Sequence, residues 1–135
     1  MLQTDKNLSP IQRYGCYFMS IGHIAERISG KQLRPGVILR VYCEAVIGKL
    51  INVSCYVIQP GKLLELFVHN LDKKVRIETW WTPSCEITAK KYDYLIEKWG
   101  TPFGTHFVCS DYNPDPTIPL EKILSTRYFK IKRGL

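Results

Sequence analysis

A change in the spacing of apolar residues near the middle of this 135-residue chain predicts an α+β fold: N-terminal helices packed on a C-terminal antiparallel sheet. Three observations carry that expectation. From Cys16 to about Asn70 apolar residues recur at intervals of three and four, the spacing of one helix face. From Lys74 onward they tend to alternate with polar ones, the spacing of half-buried strands. The chain is 45% hydrophobic without repeat or low-complexity run, so residues 1–135 read as a single domain with a real core.

The elements follow in order. Residues 1–10 form a polar lead-in that closes on the turn signal Ser9-Pro10. A first helix is expected over Cys16–Ser29, with Tyr17, Ile21, Ile24 and Ile28 on its inner face and Gly30 as its stop. Pro35-Gly36 makes a turn before a second helix over Val37–Leu50, buried through Ile38, Val41, Tyr42 and Ala45. Cys43 and Cys55 read as core residues, and Ser54–Ile58 as a short strand. Pro60 suits the first turn of a third helix through Leu63, Leu64, Leu66 and Phe67. Strands are expected over Lys74–Trp80, Tyr92–Trp99, His106–Ser110 and Ser125–Ile131. Trp81–Ser84 and Asp111–Pro116 carry turn chemistry.

The net charge of +7 admits nucleic acid, an anionic membrane or an acidic polymer as partners. The charge is scattered and no reading motif accompanies it, so the expectation is weak, unspecific nucleic-acid binding at most. Five cysteines at 16, 43, 55, 85 and 109 include no CxxC pair, which suggests neither a zinc site nor a disulfide framework; no metal or cofactor is expected. No signal peptide and no membrane-length apolar run is present, which reads as a soluble protein with free thiols in a reducing cytoplasm.

One stretch stands out chemically. In Gln12-Arg13-Tyr14-Gly15-Cys16 a cysteine opens a helical pattern directly after a glycine. A thiol there meets the positive end of the helix dipole and the unpaired N–H groups of the first turn, which favour the thiolate. Gln12, four residues upstream, carries an amide that can donate to an oxyanion. His106 lies far along the chain in Gly104-Thr105-His106-Phe107-Val108, followed by Asp111, Asn113 and Asp115. A reactive cysteine, a distant histidine and an acidic or amide residue form the constellation of a cysteine hydrolase. His23 is two helical turns from Cys16, roughly 10 Å along the axis, and is out of reach of the thiol.

The order of these segments resembles the papain-like cysteine peptidases, above all the bacteriocin-leader-processing peptidases and the small peptidase-like proteins of phages and prophages. The resemblance implies a papain-like fold in which Cys16 is the nucleophile, His106 the base, Asp115 the orienting residue and Gln12 an oxyanion-hole donor. Asp111 and Asn113 remain open as orienting residues. The implied substrate is a peptide, a peptidoglycan stem peptide or a protein conjugate, with a phage lysis system as a route of release. The alternative is an inactive relative that binds a host protein or nucleic acid.

Overall fold

The computed structural model describes residues 15–83 and 86–132. Three helices come first: α1 (Cys16–Ser29), α2 (Pro35–Ile47) and α3 (Pro60–His69). Four strands follow: β1 (Ile77–Pro83), β2 (Tyr94–Thr101), β3 (Gly104–Cys109) and β4 (Lys122–Ile131). The strands form one antiparallel sheet in the order β1-β4-β2-β3, so β1 and β3 are its edges. Helices packed on an antiparallel sheet are the α+β arrangement that the spacing predicts.

The helix boundaries follow from punctuation. Pro35 and Pro60 each take the first helical turn, where a missing N–H costs nothing. Gly30 ends α1 in the left-handed conformation, φ 73°, and its N–H closes on the Glu26 carbonyl at 2.8 Å. Cys43 is exposed, against the expectation of a core position. The buried stripe of α2 is Ile38, Val41 and Ala45, and residue 43 projects from the other side. Cys55 is buried as expected, but residues 54–58 make no strand. The Asn52 side chain accepts from the Ser54 and Tyr56 N–H groups, which bends the chain into a turn crossed by a single Ile51–Val57 bridge.

The core lies where α1 crosses α3 above the sheet. Phe18, Ile21 and Ile24 of α1 meet Leu63, Leu64 and Phe67 of α3, and Ile96 and Phe129 rise from the strands. The Phe18 and Phe67 rings sit 4.8 Å apart. Gly22 lets the helices approach: a Cβ there would stand 2.9 Å from Leu33 Cδ1 and 3.3 Å from Phe67. Truncating a fully buried ring such as Phe67 to alanine removes about 3–5 kcal/mol of stability.

All four strands appear where expected with boundaries shifted by up to three residues, and β1 departs most. β1 begins at Ile77, where the Glu65 carboxylate of α3 accepts the Ile77 N–H at 2.8 Å. It then runs through Trp81 and Thr82 to Pro83, with no turn at 81–83. Pairing with Arg127, Thr126 and Ser125 of β4 extends the strand, and an edge strand tolerates the proline that lacks an N–H.

Candidate functional site

α1 packs against the free edge of β3. The contact centres on Phe107, whose ring stacks on Tyr17 at 4.4 Å and whose carbonyl accepts the Ser20 hydroxyl at 3.3 Å. The Phe107 backbone also faces the Cys16 thiol and acts to lower its pKa. The two α1 residues therefore occupy backbone groups that an edge strand otherwise leaves to solvent. Cys109 completes the seam by donating its thiol proton to the Ser20 carbonyl at 3.4 Å.

Cys16 is the first residue of α1, as the sequence predicts, and is half-buried. Burial raises its pKa, while hydrogen bonds from the Phe107, Tyr17 and Cys16 backbone pull the other way; the net shift is upward. The resting thiol is therefore protonated at neutral pH. The helix terminus tempers the desolvation without overcoming it. Cys55 and Cys109, deeper in the protein, are each pushed up to about 12 by burial.

His106 is 2% exposed. Its Nε2 lies 2.7 Å from Asn113 Oδ1. The Asp115 N–H donates to the same oxygen at 3.0 Å, which identifies that atom as the acceptor. An acceptor at this distance requires the His106 proton on Nε2 and leaves the Nδ1 lone pair for other work. Asn113 is thus the side chain bonded to His106. Asp115, the residue favoured from sequence, spends its carboxylate on Thr117, accepting the N–H at 3.1 Å and the hydroxyl at 2.6 Å. Asp111 turns to α1, where it accepts from Arg27 and lies 3.2 Å from His23 Nε2. Gln12 lies outside the described residues.

Cys16 and His106 flank the same peptide unit, the one joining His106 to Phe107. Among the described residues no hydrogen bond joins the sulfur to the ring. Phe107 pairs across the sheet with Lys98, and His106 with Trp99. Neighbouring residues on a strand face opposite ways, so the imidazole leaves β3 on the side away from the Tyr17 stack.

Beside α1 the sheet opens into a groove of about 530 Å³, lined by Tyr17, Pro60, Thr79, Trp81, Lys98 and Arg127 among others. The Arg127 guanidinium lies over the Tyr17 and Phe107 rings, at 5.6 and 5.1 Å from their centroids. Burial pushes the Tyr17 phenol up to about 12, against the pull of Arg127, so it stays a hydrogen-bond donor. The tryptophan and tyrosine content points toward such a wall, but its two cations carry no signal in linear sequence: only the sheet register puts Lys98 and Arg127 together.

No cluster of three or more histidine, cysteine, aspartate or glutamate side chains that could hold a metal occurs among the described residues. No described helix is long and apolar enough to cross a membrane. No curated protein and no solved structure matches the chain. The family model described as "Protein of unknown function, DUF261" matches residues 1–131, nearly the whole length, and the chain belongs to that family.

Proposed function

We propose that this protein is a papain-like cysteine hydrolase of phage or mobile-element type, with Cys16 as nucleophile, His106 as base and Asn113 as the residue that fixes the base. One observation carries the reading: Asn113 Oδ1 fixes the Nε2–H tautomer of His106 on the same peptide unit whose other end faces the Cys16 sulfur. The resting thiol is protonated. For reaction, the Cys16 side chain and the His106 ring held by Asn113 must meet, and Nδ1 accepts the thiol proton. The thiolate then forms a C–S bond to an amide or ester carbonyl. Backbone N–H groups at the start of α1 face the developing oxyanion, with Gln12 as a further donor. His106 returns the proton to the leaving group as the acyl bond breaks, and water hydrolyses the thioester to release acid and free thiol. The substrate is a peptide, a stem peptide or a protein conjugate, met in the cytoplasm or after release through a phage lysis system.

A second reading, an inactive relative that binds a partner, is favoured by the raised thiol pKa and the missing sulfur–imidazole hydrogen bond. Alkylation separates the two. In a chain carrying Cys43→Ser and Cys85→Ser, limiting iodoacetamide is expected to modify Cys16 before Cys55 and Cys109, and His106→Ala is expected to slow that reaction about tenfold or more, within the range of a lost general base. A Cys16 rate unchanged by His106→Ala selects the binder.

A further inference from the structure

The groove beside Cys16 does not end at Thr79. It shares Pro60 and Thr79 with a second cavity of about 640 Å³, lined also by Lys62, Arg76 and Lys132. The two together make one trough across the sheet, with Lys98 and Arg127 toward Cys16 and the other three cations toward the far end. None of these five cations is paired with a carboxylate among the described residues. Among the described residues Glu65 is the single acidic side chain lining the two cavities, and its carboxylate already accepts the Ile77 N–H. Trp81, paired across the sheet with Arg127, is 64% exposed.

A protein with a net charge of +7 has cations to spare, but five along one trough, with no carboxylate partner among the described residues, concentrate positive potential where it attracts anions. We propose that this trough binds an acidic polypeptide in extended form. Arg127 and Lys98 take carboxylates next to the reacting bond, Trp81 covers an apolar side chain, and Lys62, Arg76 and Lys132 take carboxylates farther along. An extended peptide places every second side chain on one face, which suits a trough with cations at both ends. A single-stranded nucleic acid fits less well: it needs a series of stacking faces, and the trough has one broadly exposed indole. The choice of a peptide rests on the hydrolase reading, because the Cys16 nucleophile, next in the chain to Tyr17 of the groove wall, calls for an acyl carbon. The binding itself does not require turnover.

The test uses the full chain with Cys16→Ala, so that binding is read with no reaction. Fluorescence anisotropy is measured with three labelled probes of equal length: a glutamate-rich peptide, the matching glutamine-rich peptide, and a single-stranded oligothymidylate. The glutamate-rich peptide is expected to bind at least about tenfold tighter than the glutamine-rich one, a gap that narrows as salt rises. Lys62→Gln with Lys132→Gln, both at exposed positions, is expected to weaken it by about threefold to tenfold, and Lys98→Gln to weaken it further. Arg34→Gln, at an exposed site outside the trough, should change nothing. Equal affinity for the two peptides, or tighter binding of the oligothymidylate, overturns the proposal. The Cys16 alkylation assay stands apart from these results, so failure of the trough and failure of the hydrolase reading are told apart.

Discussion

The two histidines along the α1–β3 seam take their partners from one loop and come out opposite in character. At one end His106 is buried against the amide of Asn113. Two turns along α1, His23 is half-buried among carboxylates, near Glu26 and Asp111, with its ring stacked on Tyr112 at 4.5 Å. A neutral amide fixes a tautomer without adding charge. A pair of carboxylates favours the imidazolium and raises the His23 pKa, through Glu26 first and then Asp111, against burial. Loop residues two apart therefore divide the labour. Asn113 tunes a base, and Asp111, which also accepts from Arg27, clamps the loop to the helix.

The strongest way to break this contrast is Asn113→Ala. It strips the acceptor from a buried Nε2–H and from the Asp115 N–H, and a loss of about 1–3 kcal/mol is expected. Denaturant unfolding reads the loss, and slower Cys16 alkylation should accompany it. A variant as stable and as reactive as the parent would show that Asn113 does not hold His106.

Asp111→Asn sharpens the other half. Because the folded pKa of His23 is raised, its stabilising contribution is complete below the ordinary imidazole range and is lost as pH rises through the raised value. The parent's melting temperature should therefore carry a component that falls as pH rises above the ordinary imidazole range, and Asp111→Asn should flatten it while Glu26 preserves part. The exposed ion pairs limit the cost to about 1 kcal/mol or less. An identical pH profile in the variant would unlink Asp111 from His23.

Asp115→Asn is the smallest change. The aspartate caps a turn at Thr117, so a loss within about 0.5 kcal/mol and an unaltered alkylation rate are expected. A large drop in the alkylation rate would restore Asp115 to the site.

How far the sequence reached follows from how local each cause is. The first and third helices were legible because Gly30 and Pro60 act within one turn, and the sheet because alternation is written in neighbouring residues; Pro35-Gly36, expected as a turn before a helix over Val37–Leu50, instead opens α2, which ends at Ile47. Cys16 at a helix start and His106 on a strand could be read for the same reason. The choice among Asp111, Asn113 and Asp115 could not be, since it depends on the path of a loop packed between α1 and β3. An argument from offset and facing set Asp111 apart from His106, and Asp111 bonds Arg27 and His23 instead. It could not see that Thr117 lies close enough to claim the Asp115 carboxylate. Cys43 was misplaced because a residue-type preference outweighed the helix phase that Ile38, Val41 and Ala45 define. The five-cation trough was invisible because β4 and β1 meet only through the strand order.

The thiol facing the edge of β3 also gives the protein a built-in reporter. An amide on an open strand edge exchanges its hydrogen with solvent quickly, but the Phe107 amide faces the Cys16 sulfur, whose pKa it helps to lower. Its isotope-exchange rate is therefore coupled to the state of that sulfur. A thiolate, the stronger acceptor, slows exchange, and a thioether or thioester, the poorer one, frees it. Deuterium uptake at this one backbone position follows ionisation and acylation of the nucleophile without a chromogenic substrate.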